Sequence, residues 1–409
     1  MDCVKSFCAV RNEHARAKNN FFVVKILVVS TSNVYTPTVL TLQMKSIRAG
    51  TCLALCLFVA FSCVASASAF AAAEICAPGL GATASSVAPP TVPTILPYIF
   101  DPHGPPARMI HDLSWLVLGI CAVLFIVVEG MIFYGVIVYR RKKNDKSKTE
   151  PRQVYGSNPV EIAWTIIPLL IVFVLALTTV RTIRSIELTE APEGALEVVV
   201  IGHQWWWEYR YLNANVSGGE IVVANELHVP INRPVWLRLE SADVIHSWWV
   251  PALAGKMDVI PNHTNYTWFN ADSEGLYLGQ CAEYCGNQHA GMLLRVVASK
   301  PEEFDSWLQT QIAPAVNDAS VATGRDIFLE YACANCHTVK GVSDGQFAPD
   351  LTHLMSRQTI ASGVAPLDPT TLKAWIDNPQ ALKPGCNMPS LQLDTDELDA
   401  VTAYLLTLR

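Results

Sequence analysis

Two apolar runs separated by a basic segment constrain this chain more than any other feature of its sequence. LSWLVLGICAVLFIVVEGMIFYGVIVY, residues 113–139, contains a single charge, Glu129. As a helix it is long enough to cross the roughly 30 Å hydrocarbon core of a bilayer. A second run, IAWTIIPLLIVFVLALTTV, places another span at 160–182, with Pro168 as a tolerated kink. The loop between them, 140–159, carries RRKKNDKSKTEPRQ, an excess of Arg and Lys that marks the cytoplasmic side. The expected topology is a membrane hairpin with both flanks outside, so everything after Val180 works in the periplasm or its equivalent. A net charge of -7 with no basic stripe argues against nucleic acid as a partner.

The residues before the hairpin read as a leader over 1–69. From Met44, an alternative start, MKSIRAGTCLALCLFVAFSCVASASAF has two basic residues, an apolar stretch and an Ala-Ser-Ala end, the layout of a secretory signal cleaved near Ala69. A third membrane helix is the competing reading. Residues 1–43 show no clear pattern, and 70–112 are expected to form an extracytoplasmic segment before the first span. Five of the twelve cysteines (Cys3, Cys8, Cys52, Cys56, Cys63) fall in the leader, and four more form two tight clusters beside His and Met. That grouping indicates ligation rather than a disulfide framework.

Beyond the hairpin the pattern changes. Residues 195–300 contain short β-branched and aromatic runs such as EVVVIGHQWWWEYRY and RPVWLRLE, punctuated by Gly, Pro and Asn. Such a series suggests a β-sandwich or barrel. A linker over 301–320 includes the helical stretch PEEFDSWLQTQ. The segment 321–409 is expected to be a small all-helical domain, ending in the amphipathic DELDAVTAYLLTLR.

GQCAEYCGNQHAGM, residues 279–292, brings together Cys281, Cys285, His289 and Met292. His246, in SADVIHSWWVP, is the natural second imidazole. Thiolates favour soft metals. A mononuclear blue-copper centre uses one Cys, two His and a weak Met, so this set has one Cys too many, and two bridging thiolates suit a pair of coppers better. Structural zinc remains an alternative, although it leaves Met292 without a role. A Cys281–Cys285 disulfide is another.

This stretch resembles the binuclear copper A loop of cytochrome c oxidase subunit II, and the resemblance covers about 105–300. It implies that Cys281 and Cys285 bridge both coppers, that His246 and His289 terminate them, that Met292 is a weak ligand, and that Glu283 ligates through its backbone carbonyl. It also implies that the Glu283 side chain reaches a magnesium shared with subunit I. Trp205, in GHQWWWEYRY, resembles the aromatic through which electrons enter the copper centre; on the residues alone it reads as core or as a membrane-interface anchor. Glu161, in NPVEIAWTIIP, resembles the acidic residue at the mouth of the family's K-type proton pathway, against the alternative of a solvated boundary carboxylate. Where many relatives have Arg after IPG, this chain has IPNH, so His263 carries no inherited role.

CANCH, residues 333–337, is a c-type haem attachment motif: Cys333 and Cys336 for the thioethers, His337 for iron. Such a motif also occurs in zinc and redox sites. GCNMP downstream offers Met388 as the second axial ligand, ahead of Met355, which lacks the Met-Pro context. Pro349 is expected to shape the pocket beside His337, and Cys386 reads as a packed thiol. The segment resembles class I cytochrome c domains fused to oxidase subunit II.

The expected architecture is a multidomain membrane protein: a two-helix transmembrane hairpin, a cupredoxin-like Greek-key β-sandwich and a C-terminal all-α class I cytochrome c domain. The resemblance implies subunit II of a caa3-type haem-copper oxidase in a bacterial plasma membrane. Its cofactors would be copper A (two copper ions), one covalent haem c and the shared magnesium. Its partners would be subunit I, subunit III, the lipid bilayer and a cytochrome c donor. Oxygen reduction and proton pumping belong to the assembled enzyme. A quinol oxidase subunit lacks the copper ligands and the haem motif, and nitrous oxide reductase requires a propeller that this chain has no room for. A copper A nitric oxide reductase and a membrane-tethered copper-binding protein are the competing functions; the latter leaves CANCH and Met388 unexplained.

Overall fold

The computed structural model describes residues 21–28, 38–45, 93–140, 153, 155–212, 220–316 and 318–409. The proposed cleavage at Ala69 and most of the basic loop lie outside the described residues. Two helices carry the apolar runs, α1 (Pro105–Val138) and α2 (Asn158–Ile186). Their most apolar windows have mean hydropathies of 2.7 and 2.5, and no residue in those windows is buried by protein. Such a surface fits a membrane interior, covered by lipid or by neighbouring membrane helices.

Both helices run past the expected membrane boundaries. Residues 105–112, expected in an extracytoplasmic segment, form the first two turns of α1. Pro at a helix start has a preset φ and lacks an N–H that would be orphaned there. The start is also pinned: the His103 N–H donates to the Ala252 carbonyl at 2.7 Å, and Arg108 pairs with Asp272. Gly104 has to be glycine at this junction, because a Cβ would lie 2.7 Å from the Asn270 carbonyl oxygen. α2 ends where the Trp268 indole N–H donates to the Ile186 carbonyl at 2.8 Å.

Residues 1–43 were expected to be patternless, yet β1 (Phe21–Val28) and β2 (Thr38–Lys45) pair antiparallel, with Phe21 opposite Lys45 and Val28 opposite Thr38. The β-branched content of FFVVKILV is the signal that sequence reading passed over, because the run does not alternate.

After β3 (Thr94–Ile95) the extramembrane domain contains β4 (Leu196–His203), β5 (Trp206–Tyr211), β6 (Ile221–Ala224), β7 (Glu226–Pro230), β8 (Val235–Ser241), β9 (His246–Trp248), β10 (Met257–Val259), β11 (Asn265–Phe269), β12 (Gly275–Gln280) and β13 (Leu293–Ser299). One sheet has the order β11-β8-β4-β5-β6 and the other β3-β12-β13-β7, with β9 and β10 forming a separate hairpin. Inward residues of both sheets, among them Val198, Leu237, Val229 and Val296, share one core. α3 (Pro301–Ile312) adds Phe304 and Leu308 to it, so the expected linker begins as a packed helix.

The C-terminal domain contains α4 (Ala322–Glu330), α5 (Cys333–Cys336), α6 (Pro369–Asp377), α7 (Pro379–Leu382) and α8 (Thr395–Leu405). Asp394 and Glu397 form a capping box at the start of α8. Leu398, Val401 and Leu405 then recur on one helical face and pack with Phe328 of α4. Burying each such side chain contributes about 1.5–3 kcal/mol. α4 and α8 approach closely at Gly324, where a Cβ would lie 2.0 Å from the Ala400 carbonyl oxygen. Gly324→Ala is therefore expected to force the helices apart and destabilise this domain by about 1–3 kcal/mol. Thermal unfolding followed at the haem absorbance checks this; an unchanged midpoint would contradict it.

Candidate metal and haem sites

The sandwich brings the predicted ligands together at one end. His246 opens β9, Cys281 directly follows β12, and Cys285, His289 and Met292 lie on the connection to β13. Two backbone bonds fold that connection back: Cys281 N–H to the Met292 carbonyl and Ala282 N–H to the Ser247 carbonyl, both 3.0 Å. One ring nitrogen of His246 and the sulfurs of Cys281 and Cys285 lie within 4.8 Å of one another, all three residues being buried. The sulfurs are 3.9 Å apart and both cysteines are free thiols, not a disulfide. Around them, His289 Nδ1 is 3.6 Å and Met292 Sδ 3.9 Å from Cys285 Sγ, while the Glu283 carbonyl is 3.3 Å from Cys281 Sγ. The Glu283 side chain points to solvent.

His246 carries the clearest sign of a ligand role. Its Nε2 lies 2.8 Å from Asp243 Oδ1, and its Nδ1 is buried with no hydrogen-bond partner among the described residues. An orphaned imidazole nitrogen beside two thiols is costly in a protein but natural for a metal ligand. Asp243 was not singled out from the sequence; its signal is the carboxylate three residues before His246 in SADVIH. It also accepts the Gln204 backbone N–H at 2.6 Å, which ties the β4–β5 turn carrying Trp205 to the site.

The electrostatics fit the same use. Burial alone would lower the His246 pKa, but the Asp243 carboxylate and the Cys281 sulfur outweigh it and hold it above the usual value. The thiols are coupled. The hydrogen bond between the two sulfurs pulls Cys281 down and pushes Cys285 up, with burial and the Cys281 charge raising Cys285 further. The pair sheds its first proton readily and its second with difficulty. Two soft sulfurs, an orphaned imidazole, a thioether and a carbonyl suit copper; zinc would leave the fully buried Met292 unused.

A cavity of about 310 Å³ is lined by Cys333, Cys336, His337 and Met388 of the cytochrome-like segment, by apolar and a few polar side chains around them, and by Gln204, Trp205 and Trp206 of the sandwich. His337 Nδ1 donates to the Pro349 carbonyl at 2.7 Å, leaving Nε2 available. Burial lowers the His337 pKa, which favours the neutral ring that binds iron. Met355 does not line the cavity and packs instead against the helical core. Cys386, read from sequence as a packed thiol, lines the cavity and is held by Gln380 Nε2 at 3.3 Å. The attachment cysteines, the histidine and the apolar walls fit a covalent haem.

Trp205 belongs to both sites: it lines the cavity, and its indole N–H donates to the Cys285 carbonyl at 3.0 Å. Gln204 Nε2 donates to the same carbonyl at 2.8 Å. Far from these, Glu161 Oε1 accepts the Ser157 N–H at 3.3 Å, a helix-capping arrangement at the start of α2. His263 sits exposed in a turn, bridged to Ile260.

Comparison with known proteins gives three family matches: cytochrome c oxidase subunit II, transmembrane domain (98–182); the periplasmic domain of the same subunit (196–299); and cytochrome c (321–409). Cytochrome c oxidase subunit 2 of Alkalihalophilus pseudofirmus is 35% identical over 316 residues, covering 76% of this chain and 90% of the relative. That of Bacillus sp. strain PS3 is 33% identical over 330 residues, covering 76% and 90%. A crystal structure of the periplasmic domain of subunit II of cytochrome oxidase from Bradyrhizobium japonicum aligns with a TM-score of 0.28 at 33% identity, over 30% of this chain and 96% of that one. The chain belongs to the cytochrome c oxidase subunit II family, in the form with a cytochrome c domain fused at the C-terminal end.

Proposed function

We propose that this subunit conducts electrons from a cytochrome c donor along one fixed route. Cys333 and Cys336 would tether the haem, and His337 and Met388 would hold its iron. Cys281, Cys285, His246, His289, Met292 and the Glu283 carbonyl would hold the copper pair, the two thiolates shared between the ions. When bound, both groups supply one-electron carriers whose rigid ligands change geometry little on reduction. The chain's own contribution is the path. From the haem cavity it runs along Trp205 to the Cys285 peptide and so to the copper ligands, and the electron then leaves for subunit I.

The observation that carries this reading is the double placement of Trp205, lining the haem cavity while bonded to Cys285. The exposed Glu283 carboxylate is suited to a magnesium shared across the subunit I interface. The basic loop argues for a hairpin with the metal domains on the periplasmic side of the plasma membrane, which agrees with a leader ending near Ala69. Subunit III and proton pumping belong to the assembled oxidase. Glu161 already has a capping partner, which favours a local structural role over a proton-path entrance.

Trp205→Phe removes the indole N–H and shortens the bridge. Transfer from haem to copper, followed by flash photoreduction of the full chain, is expected to slow by about tenfold to a hundredfold, with both metal spectra retained. An unchanged rate would contradict the route.

Copper uptake should depend on pH with a definite sign. Cys285 and His246 both have raised pKa values and must lose protons before they ligate. Affinity is therefore expected to rise with pH by about tenfold per unit for each proton displaced, measured by competition titration of the reduced, copper-free protein and by proton release in weak buffer. An affinity that does not change with pH would rule out this protonation scheme.

A further inference from the structure

Lys383 has no role in the route above, yet it is one of the most deeply buried charges among the described residues, 3% exposed. It sits between α7 and the Cys386–Met388 loop. Its ammonium donates to three carbonyls: Trp205 at 2.8 Å, Gly291 at 2.9 Å and Ala361 at 3.0 Å. An ammonium has three donors and no acceptor, so all three are used. Only Ala361 belongs to the cytochrome domain. Trp205 is the proposed bridge, and Gly291 immediately precedes Met292. Burial lowers the Lys383 pKa to about 8, which leaves it charged at neutral pH.

A second buried charge faces the other way. Glu226, at the start of β7 and 2% exposed, accepts the backbone N–H groups of Gln358 and Thr359, both at 3.0 Å, and the Thr359 hydroxyl at 2.8 Å. Those donors all come from the cytochrome domain. Glu226 is also paired within its own domain with Arg295 at 3.4 Å, whose guanidinium reaches across to the Gln358 side-chain oxygen at 2.8 Å. Each domain thus inserts one charge that takes polar groups of the other. Smaller contacts flank them: Gln288 Nε2 to the Pro384 carbonyl at 2.6 Å and Asn387 Nδ2 to the Gln204 carbonyl at 2.9 Å.

We propose that Lys383, with Glu226 as its counterpart, is the positioning residue that fixes the cytochrome domain on the copper-binding domain in a single register, holding the Met388 loop, Trp205 and the Met292 segment as one unit. Slippage is costly, because a shift beyond hydrogen-bond length would strip Lys383 of the Trp205 and Gly291 carbonyls and Glu226 of the Gln358 and Thr359 donors while both stay dry, with only the own-domain partners Ala361 and Arg295 left among these contacts. An apolar interface would accept many registers; these two charges select one. The inference rests on the electron route proposed above.

The test uses the full chain carrying both haem and copper, with Lys383→Met and, read independently from the other domain, Glu226→Gln. Two quantities are measured: the haem-to-copper transfer rate after flash photoreduction, and the haem–copper distance distribution from dipolar relaxation in frozen solution. Lys383→Met should retain metal content and spectra while the rate falls by about tenfold or more, as expected when reacting groups are misplaced by about 1 Å, and the distances broaden. Glu226→Gln should shift both in the same direction by less. A Lys383→Met protein with the wild-type rate and one narrow distance would overturn the proposal. If Lys383→Met fails to take up haem, Glu226→Gln decides by the same two readouts. A wild-type chain that binds no copper pair would instead overturn the underlying route.

Discussion

The peptide of Cys285 is the joint on which the rest of the arrangement turns. Its sulfur stands among Cys281, His289 and Met292, and its carbonyl accepts hydrogen bonds from both Trp205 and Gln204. One residue thereby connects the ligand cluster to the aromatic that lines the haem cavity. Displacing that backbone would disturb ligand geometry and the proposed path together.

The surrounding fold holds this joint still. The proposed ligands come from the ends of β9 and β12 and from the loop into β13, elements tied by sheet hydrogen bonds and a shared core. Asp243 orients His246 and takes the Gln204 N–H, so the turn that carries Trp205 is fixed by the group that orients a proposed ligand. A ligand set built on rigid strands, with its own outer partners, is prepared before metal arrives. α1 and α2 continue past the lipid-facing stretch onto the same domain, through Arg108 and Asp272 at one helix and Trp268 and Ile186 at the other.

Much of this was legible in the sequence, because metal ligation and membrane spanning leave local marks. The cysteine loop, CANCH, GCNMP and the two apolar runs each compress their chemistry into a short stretch, and the structure brings His246 to the loop as its residue type suggested. What sequence reading missed depends on long-range contact. Asp243 is an ordinary loop acid until His246 is seen beside it. Lys383 and Glu226 look like surface charges in sequence and become buried only when two domains meet. The helix extensions to Pro105 and Ile186 were hidden because hydropathy marks lipid contact and gives no sign of a helix that continues into water.

The most direct test of the account is the metal content and EPR spectrum of the full chain, produced where c haem can be attached. The account predicts two coppers per haem and a hyperfine pattern shared equally over both copper nuclei. A single-copper signal, or zinc in place of copper beside the haem, would mean that Cys281 and Cys285 do not build a bridged pair, and the proposed route would have to be withdrawn.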